Sequence, residues 1–380
     1  MFKAFNYFTR GQKSFLLIWS LVILVIGVSA GNQIVNMERE NLEESIKTHK
    51  ARIDPNLTEE GKTQPESEPP AGHENDVPVD VKIGMYVDRI AALSMKESYW
   101  TVEFYIWFTW KDDTLKPGET FQVVGGEISK STLIKQKKSA NGEHYAIYRV
   151  IAKITKSFNT TRFPRDDHLL TIHIEDTQRP FYQLRYSADE TNSDVSSRVS
   201  VPGYTIYHNN AVVKLHPYKT TRGNPELPEG YKDTYSQFIY GIWIERPNWG
   251  LHIKMFLTLF AAILIPSIGF FTNPTHRLQV VVGAFFASVA SAYISSAAVP
   301  DPGIVTLADI INGIGVITIA LIMFQTIISQ YFYERKKQEN FSDVFDYVTL
   351  VVLMGLFIWL NVSIPVAASL TPELLASVTP

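Results

Sequence analysis

The chain has 380 residues, a formal net charge of −3 and no cysteine. Near-neutral charge gives no electrostatic footprint for nucleic acid, so no nucleic-acid partner is expected. The lack of cysteine excludes a disulfide framework and a thiol nucleophile, and an exported domain built this way must rely on its own core.

Apolar runs of about 17 to 25 residues are long enough to cross a bilayer. Five are present: Ser14 to Ala30, Ile253 to Thr272, Leu278 to Val299, Ile304 to Ile328 and Tyr347 to Val366. Basic residues next to short loops stay in the cytoplasm. Lys3, Arg10 and Lys13 precede the first run, His276 and Arg277 separate the second from the third, and Arg335, Lys336 and Lys337 separate the fourth from the fifth. All three clusters share one face if the chain starts inside, which exports residues 31 to 250. The first run ends on Val28-Ser29-Ala30, a small-residue pattern that signal peptidase accepts, so a cleaved signal is one alternative to an anchor. The run is long for a signal, and Asn32 to Ile53 continues it as a polar helix.

Residues 55–78 are rich in Pro and Glu, without apolar periodicity, and are expected to form a flexible linker. After them the period becomes two. Thr101 to Trp110 places Val102, Phe104, Ile106 and Phe108 on one face, the alternation of a half-buried strand. Similar strands are predicted at Val81–Ile90, Tyr145–Ile154, Leu169–Ile174, Val212–His216 and Tyr235–Ile244, separated by turn residues such as Lys116-Pro117-Gly118 and Asn141-Gly142. The expected fold is an α+β membrane protein: an extracellular antiparallel β-sandwich followed by a four-helix transmembrane bundle, plus one N-terminal transmembrane helix. The domains are 1–54 (cytoplasmic N-terminus, anchor or signal, polar helix), 55–78 (linker), 79–247 (sandwich), 248–370 (channel-type helices) and 371–380 (tail).

Between Val79 and Val366 the chain resembles the pentameric ligand-gated ion channels in their bacterial, cysteine-free form. The resemblance rests on Phe163-Pro164-Arg165-Asp166-Asp167-His168, similar to the family's Phe-Pro-x-Asp-x-Gln turn, on Trp110-Lys111-Asp112, and on Gly203-Tyr204. It also rests on Arg246 before the first channel helix, Pro266 within it, and the spacing from Arg277 to Pro300. Two features depart from the family. The Trp-x-Pro-Asp signature of the fourth strand is missing, and Ser94-Met95-Lys96 stands where an acidic residue is common.

The resemblance implies a homopentamer, with four identical subunits, membrane lipid, permeating ions and a small-molecule agonist as partners, and no cofactor or metal. It places Gln279, Gly283, Phe286, Ala290 and Tyr293 on the pore face. A second stripe, Ala284, Ser288, Ser291 and Ser295, is more polar and competes for that role; either could instead be small-residue helix packing. Asn273-Pro274-Thr275-His276-Arg277 carries no acid, which removes the usual argument for cations and leaves charge selectivity open. For ligand binding the resemblance implies Arg179, Phe181, Tyr218 and Tyr231 around the hairpin Thr220–Lys232, although any one of these aromatics is more simply explained as sandwich core. For gating coupling it implies Lys96, Phe163, Pro164, Asp166, Arg246 and Pro300, with Arg246 pairing Asp166. The N-terminal helix is expected to anchor the periphery or to modulate assembly. A non-conducting solute sensor is the alternative function, and an enzyme is disfavoured because the exported residues show no metal cluster and no nucleophile motif.

Overall fold

The computed structural model describes residues 8–58, 61–64, 67–247, 249–297, 299 and 303–371. The described residues divide into a helical unit, within 1–43, 160–166 and 248–369, and a sandwich unit, within 44–159, 167–247 and 370–380. Among the described residues five helices are long and apolar enough to cross a membrane, one at each of the five predicted runs. In the Pro- and Glu-rich segment Leu57 bridges Thr63, while Gln64 donates to the Leu215 carbonyl and Tyr231 Oη donates to Glu68 O at 3.0 Å.

In the sandwich unit, one sheet has the order β4 (Gly126–Lys138), β5 (His144–Thr155), β2 (Tyr99–Trp110), β1 (Val79–Ser94) and β7 (Leu184–Ala188), with β8 (Asp194–Val195) also on β1. The other has the order β3 (Phe121–Val123), β6 (Asp167–Asp176), β10 (Thr234–Glu245) and β9 (Thr205–Pro217). Strand β2 alternates between buried and half-buried along its whole length, and Val102, Phe104, Ile106 and Phe108 meet Phe238, Tyr240, Ile242 and Ile244 in one core. That alternation is how a sheet buries one face against a partner.

Strand β10 departs from it, because all but its last residue are buried. The cover on its second face is the end of α1 (Arg10–Ile53). His49 packs edge-on to Trp243 at 5.4 Å and pairs with Asp167 at 3.1 Å. A Cβ on Gly241 would stand 3.2 Å from Ile53, so glycine lets the helix end approach the sheet. The buried Lys214 reaches up from β9, and its Nζ donates to Ala51 O at 2.7 Å, a carbonyl that the helix end leaves open, and to Leu57 O at 2.9 Å in the chain beyond it. Lys214→Met should cost about 1.5–3 kcal/mol, the usual worth of a charged hydrogen bond in a buried setting. Faster amide exchange over the last turn of α1 is the reading that checks it; unchanged protection there would refute it.

In the helical unit, α3 (Arg277–Ala297) packs on α2 (Gly250–Ile268) and α4 (Leu307–Gln330), and α4 packs on α5 (Glu339–Ala367). The N-terminal part of α1 lies on α4 and α5: Phe15 and Trp19 join an aromatic cluster with Phe332, Phe341 and Phe345, and Trp19 Nε1 donates to Thr349 at 3.1 Å. An apolar cavity of about 420 Å³ lies among these three helices, lined by Ile23, Ile26, Ile317, Phe324 and Leu356 among others.

Candidate functional site

Helix α3 presents two opposed stripes, and its neighbours distinguish them. Ser288, Ser291 and Ser295 are buried to 1% exposure or less, with Ala284 beside them. Ser291 Oγ donates to Asn312 Oδ1 of α4 at 3.2 Å, and Ser295 and Ser288 donate back to the carbonyls of Ser291 and Phe285. Hydroxyls that satisfy themselves in this way are characteristic of packed membrane helices. The opposite stripe is left open by the chain's own helices. Gln279, Gly283 and Ala290 are exposed, as are Phe286 at 68% and Tyr293 at 76%. The polar stripe is therefore helix packing, and the stripe implied by the family spacing is the uncovered one.

Arg277, at the start of α3, turns away from that face. Its side chain is 1% exposed and donates to Asp346 Oδ2 of α5 at 2.8 Å and to Thr272 O at 2.5 Å, while Gln325 donates to the other Asp346 oxygen. The guanidinium is neutralised within the chain and offers no free positive charge to the open stripe.

The Phe-Pro turn belongs to the helical unit. Its carbonyls complete the N-terminus of α4, with Leu307 N donating to Thr161 O at 2.7 Å and Ala308 N to Phe163 O at 3.1 Å. Phe163 and Asp166 are buried, and the Phe163–Pro164 bond is cis. Two residues that the sequence reading left without a role fix the turn. Arg162 donates to Ala368 O at the end of α5 at 2.8 Å, and Arg165 donates to Ser369 Oγ at 2.8 Å and lies 4.9 Å over Trp249. Cations placed at the last carbonyls of a helix are favoured by its dipole. Pro300 lies outside the described residues.

In the sandwich unit, Lys96 is exposed in the β1–β2 turn, and the adjacent Met95 accepts from Tyr204 Oη at 3.4 Å. Arg246 lies 4.0 Å over the Tyr204 ring and donates to its hydroxyl at 2.7 Å. Gly203 precedes Tyr204 at φ +80°, and a Cβ there would come within 3.1 Å of Arg246. The Gly203-Tyr204 pair thus seats Arg246.

The four ligand candidates do not converge. Phe181 is buried at 2% exposure, against Tyr182, as ordinary sandwich core. Arg179 is held through its backbone N–H by Asp176 at 2.8 Å. Tyr231 bonds Glu68, and its hydroxyl is pushed up to about 12 by burial and by Tyr182 and Asp233 nearby. Among the described residues no ring contact joins Tyr218 to Tyr231 or Phe181. Tyr218 instead meets Tyr235 at 5.8 Å and an interplanar angle of 89°, with Arg222 between them and the buried Asp233 behind. Burial and donation to Glu175 push the Tyr218 hydroxyl well above its usual value, and burial and Asp233 push Tyr235 up to about 12. Both rings stay neutral at physiological pH and present uncharged π faces. Glu175, fully buried, accepts from Tyr218 at 2.8 Å and from Gln237 at 2.6 Å, and also contacts His216. No protein-family model matches the chain, and no curated protein matches it.

Proposed function

We propose that the chain is one subunit of a homopentameric ligand-gated ion channel of a bacterial inner membrane, opened by a small ligand, proton or ion acting on a periplasmic sandwich. The observation that carries this reading is the open stripe of α3. A subunit that buries its polar serines and leaves Gln279, Phe286 and Tyr293 uncovered has a helix face that only other copies, lipid or water can meet. Closed rings are the common solution for identical chains, and five such helices around an axis make a lumen. In that ring Phe286 forms an apolar constriction that closes by dewetting, and Gln279 a polar one on the cytoplasmic side. The N-terminus is cytoplasmic, as the Lys and Arg clusters direct. The residues proposed to couple ligand binding to the pore are those the resemblance implies: Lys96, Phe163, Pro164, Asp166, Arg246 and Pro300.

The test is current through the purified protein in planar bilayers, scanning pH and calcium under a potassium chloride gradient. A reversal potential away from zero establishes a selective pore and its sign. Phe286→Ala should conduct at rest where the unaltered protein is closed, because the apolar ring no longer excludes water. Silence of both proteins, with the pentamer verified, would transfer the assignment to a non-conducting solute sensor.

A further inference from the structure

The Tyr218–Tyr235 pair forms a cation cage that is filled by the chain itself. The guanidinium carbon of Arg222 stands 4.4 Å from the Tyr218 ring centre and 4.6 Å from that of Tyr235, within the range of a cation–π contact. Its Nε and Nη2 lie 3.3 and 3.2 Å from Asp233 Oδ2, and Nη2 also donates to the Tyr235 hydroxyl. Asp233 accepts from Tyr235 Oη at 3.1 Å as well, so one carboxylate holds both a wall and the occupant.

The walls and the occupant differ in how they are held. Tyr235 and Asp233 stand in and beside β10, and Tyr218 follows β9, where its hydroxyl is fixed by the fully buried Glu175 and its N–H bonds Asp233 O at 2.8 Å. Arg222 comes from the hairpin loop, at φ +52°. A left-handed backbone is unfavourable for a residue with a side chain and persists where surrounding contacts enforce it. The Arg222 side chain is 39% exposed, and with Tyr218 it lines an open cleft of about 680 Å³ that also carries Gln122, Glu127 and Lys153. A solute can therefore reach the guanidinium from outside.

We infer that Arg222 is a tethered cation that latches the Thr220–Lys232 hairpin by occupying a site suited to a small organic cation, a guanidinium or alkylammonium, which must displace it to bind. The inference rests on reading this face as the ligand site of the proposed channel, but it is tested by binding rather than by current. A cage occupied by its own arginine has an apparent affinity for a free cation reduced to the fraction of time it stands empty.

Methylguanidinium is titrated into the full-length protein in detergent by calorimetry. Arg222→Ala should bind it about tenfold tighter than the unaltered protein, while Arg222→Lys, which keeps a cation on the tether, should not. Adding Tyr218→Ala to Arg222→Ala should abolish the gain. In the unaltered protein, saturating methylguanidinium should speed tryptic cleavage after Lys219, as the hairpin is released. A folded Arg222→Ala protein with no gain in affinity would make Arg222 a structural staple and overturn the inference, as would a gain that survives Tyr218→Ala or cleavage indifferent to the cation. Absence of current with these binding results would count against the channel alone.

Discussion

Asp346→Ala should destabilise the helical unit by about 3–5 kcal/mol, the cost of stranding a buried charge. Asp346 is the counter-ion printed on the Arg277 guanidinium by the fold: the two side chains are 1% and 3% exposed and 2.8 Å apart. Among the described residues Arg277 Nε and Nη1 are buried without hydrogen-bond partners, and the remaining support is the Thr272 carbonyl and the Phe270 ring 5.2 Å away. Neither of these can balance a full positive charge, so the arginine would have to unpack α3 to reach water. Arg277→Met combined with Asp346→Leu should recover most of the loss, since an apolar pair of similar bulk carries no desolvation penalty. Thermal unfolding of the purified protein, followed by tryptophan fluorescence, separates the two variants. An unchanged midpoint for Asp346→Ala would mean that the pair is solvated and that Arg277 carries a free charge after all.

The parts of this fold that follow a local period could be read from the residues, and the parts set by distant neighbours could not. Strand β2 is apolar at every second position and was predicted to within two residues at its start. Strand β4 escaped, because all but two of its residues are exposed and an edge strand without a buried face leaves no alternation to find. Strand β10 was expected, but its second cover was not, since that cover is a helix ending at Ile53. On α3 both stripes satisfy helical spacing equally well, and the choice between them depends on Asn312, on another helix. Arg222 looks like any solvated charge in a polar loop. Its role appears only when the hairpin folds Tyr235 back beside Tyr218.

Replacing both Gly27 and Gly31 by Leu should detach the N-terminal part of α1 from the bundle. The two glycines form a Gly-x-x-x-Gly stripe, the pattern that lets membrane helices approach closely. A Cβ on Gly27 would lie 2.2 Å from Leu356 Cδ2, and one on Gly31 would lie 2.4 Å from Leu360 Cδ2 and 2.5 Å from the Trp359 ring. All three neighbours are on α5, so the new side chains must displace them from the seam. Overpacking of this kind costs about 1–3 kcal/mol at each site. Amide exchange over residues 10–43 should rise while α3 and α4 keep their protection, and Gly355→Leu, where a Cβ meets open space, should leave it unchanged. Unaltered exchange in the double variant would mean that α1 is not held through this stripe. The same variant decides what the helix is for. In the proposed channel, a detached α1 with an intact pentamer and unchanged current would make it a peripheral anchor, whereas a changed oligomer or altered gating would make it a modulator acting through α5.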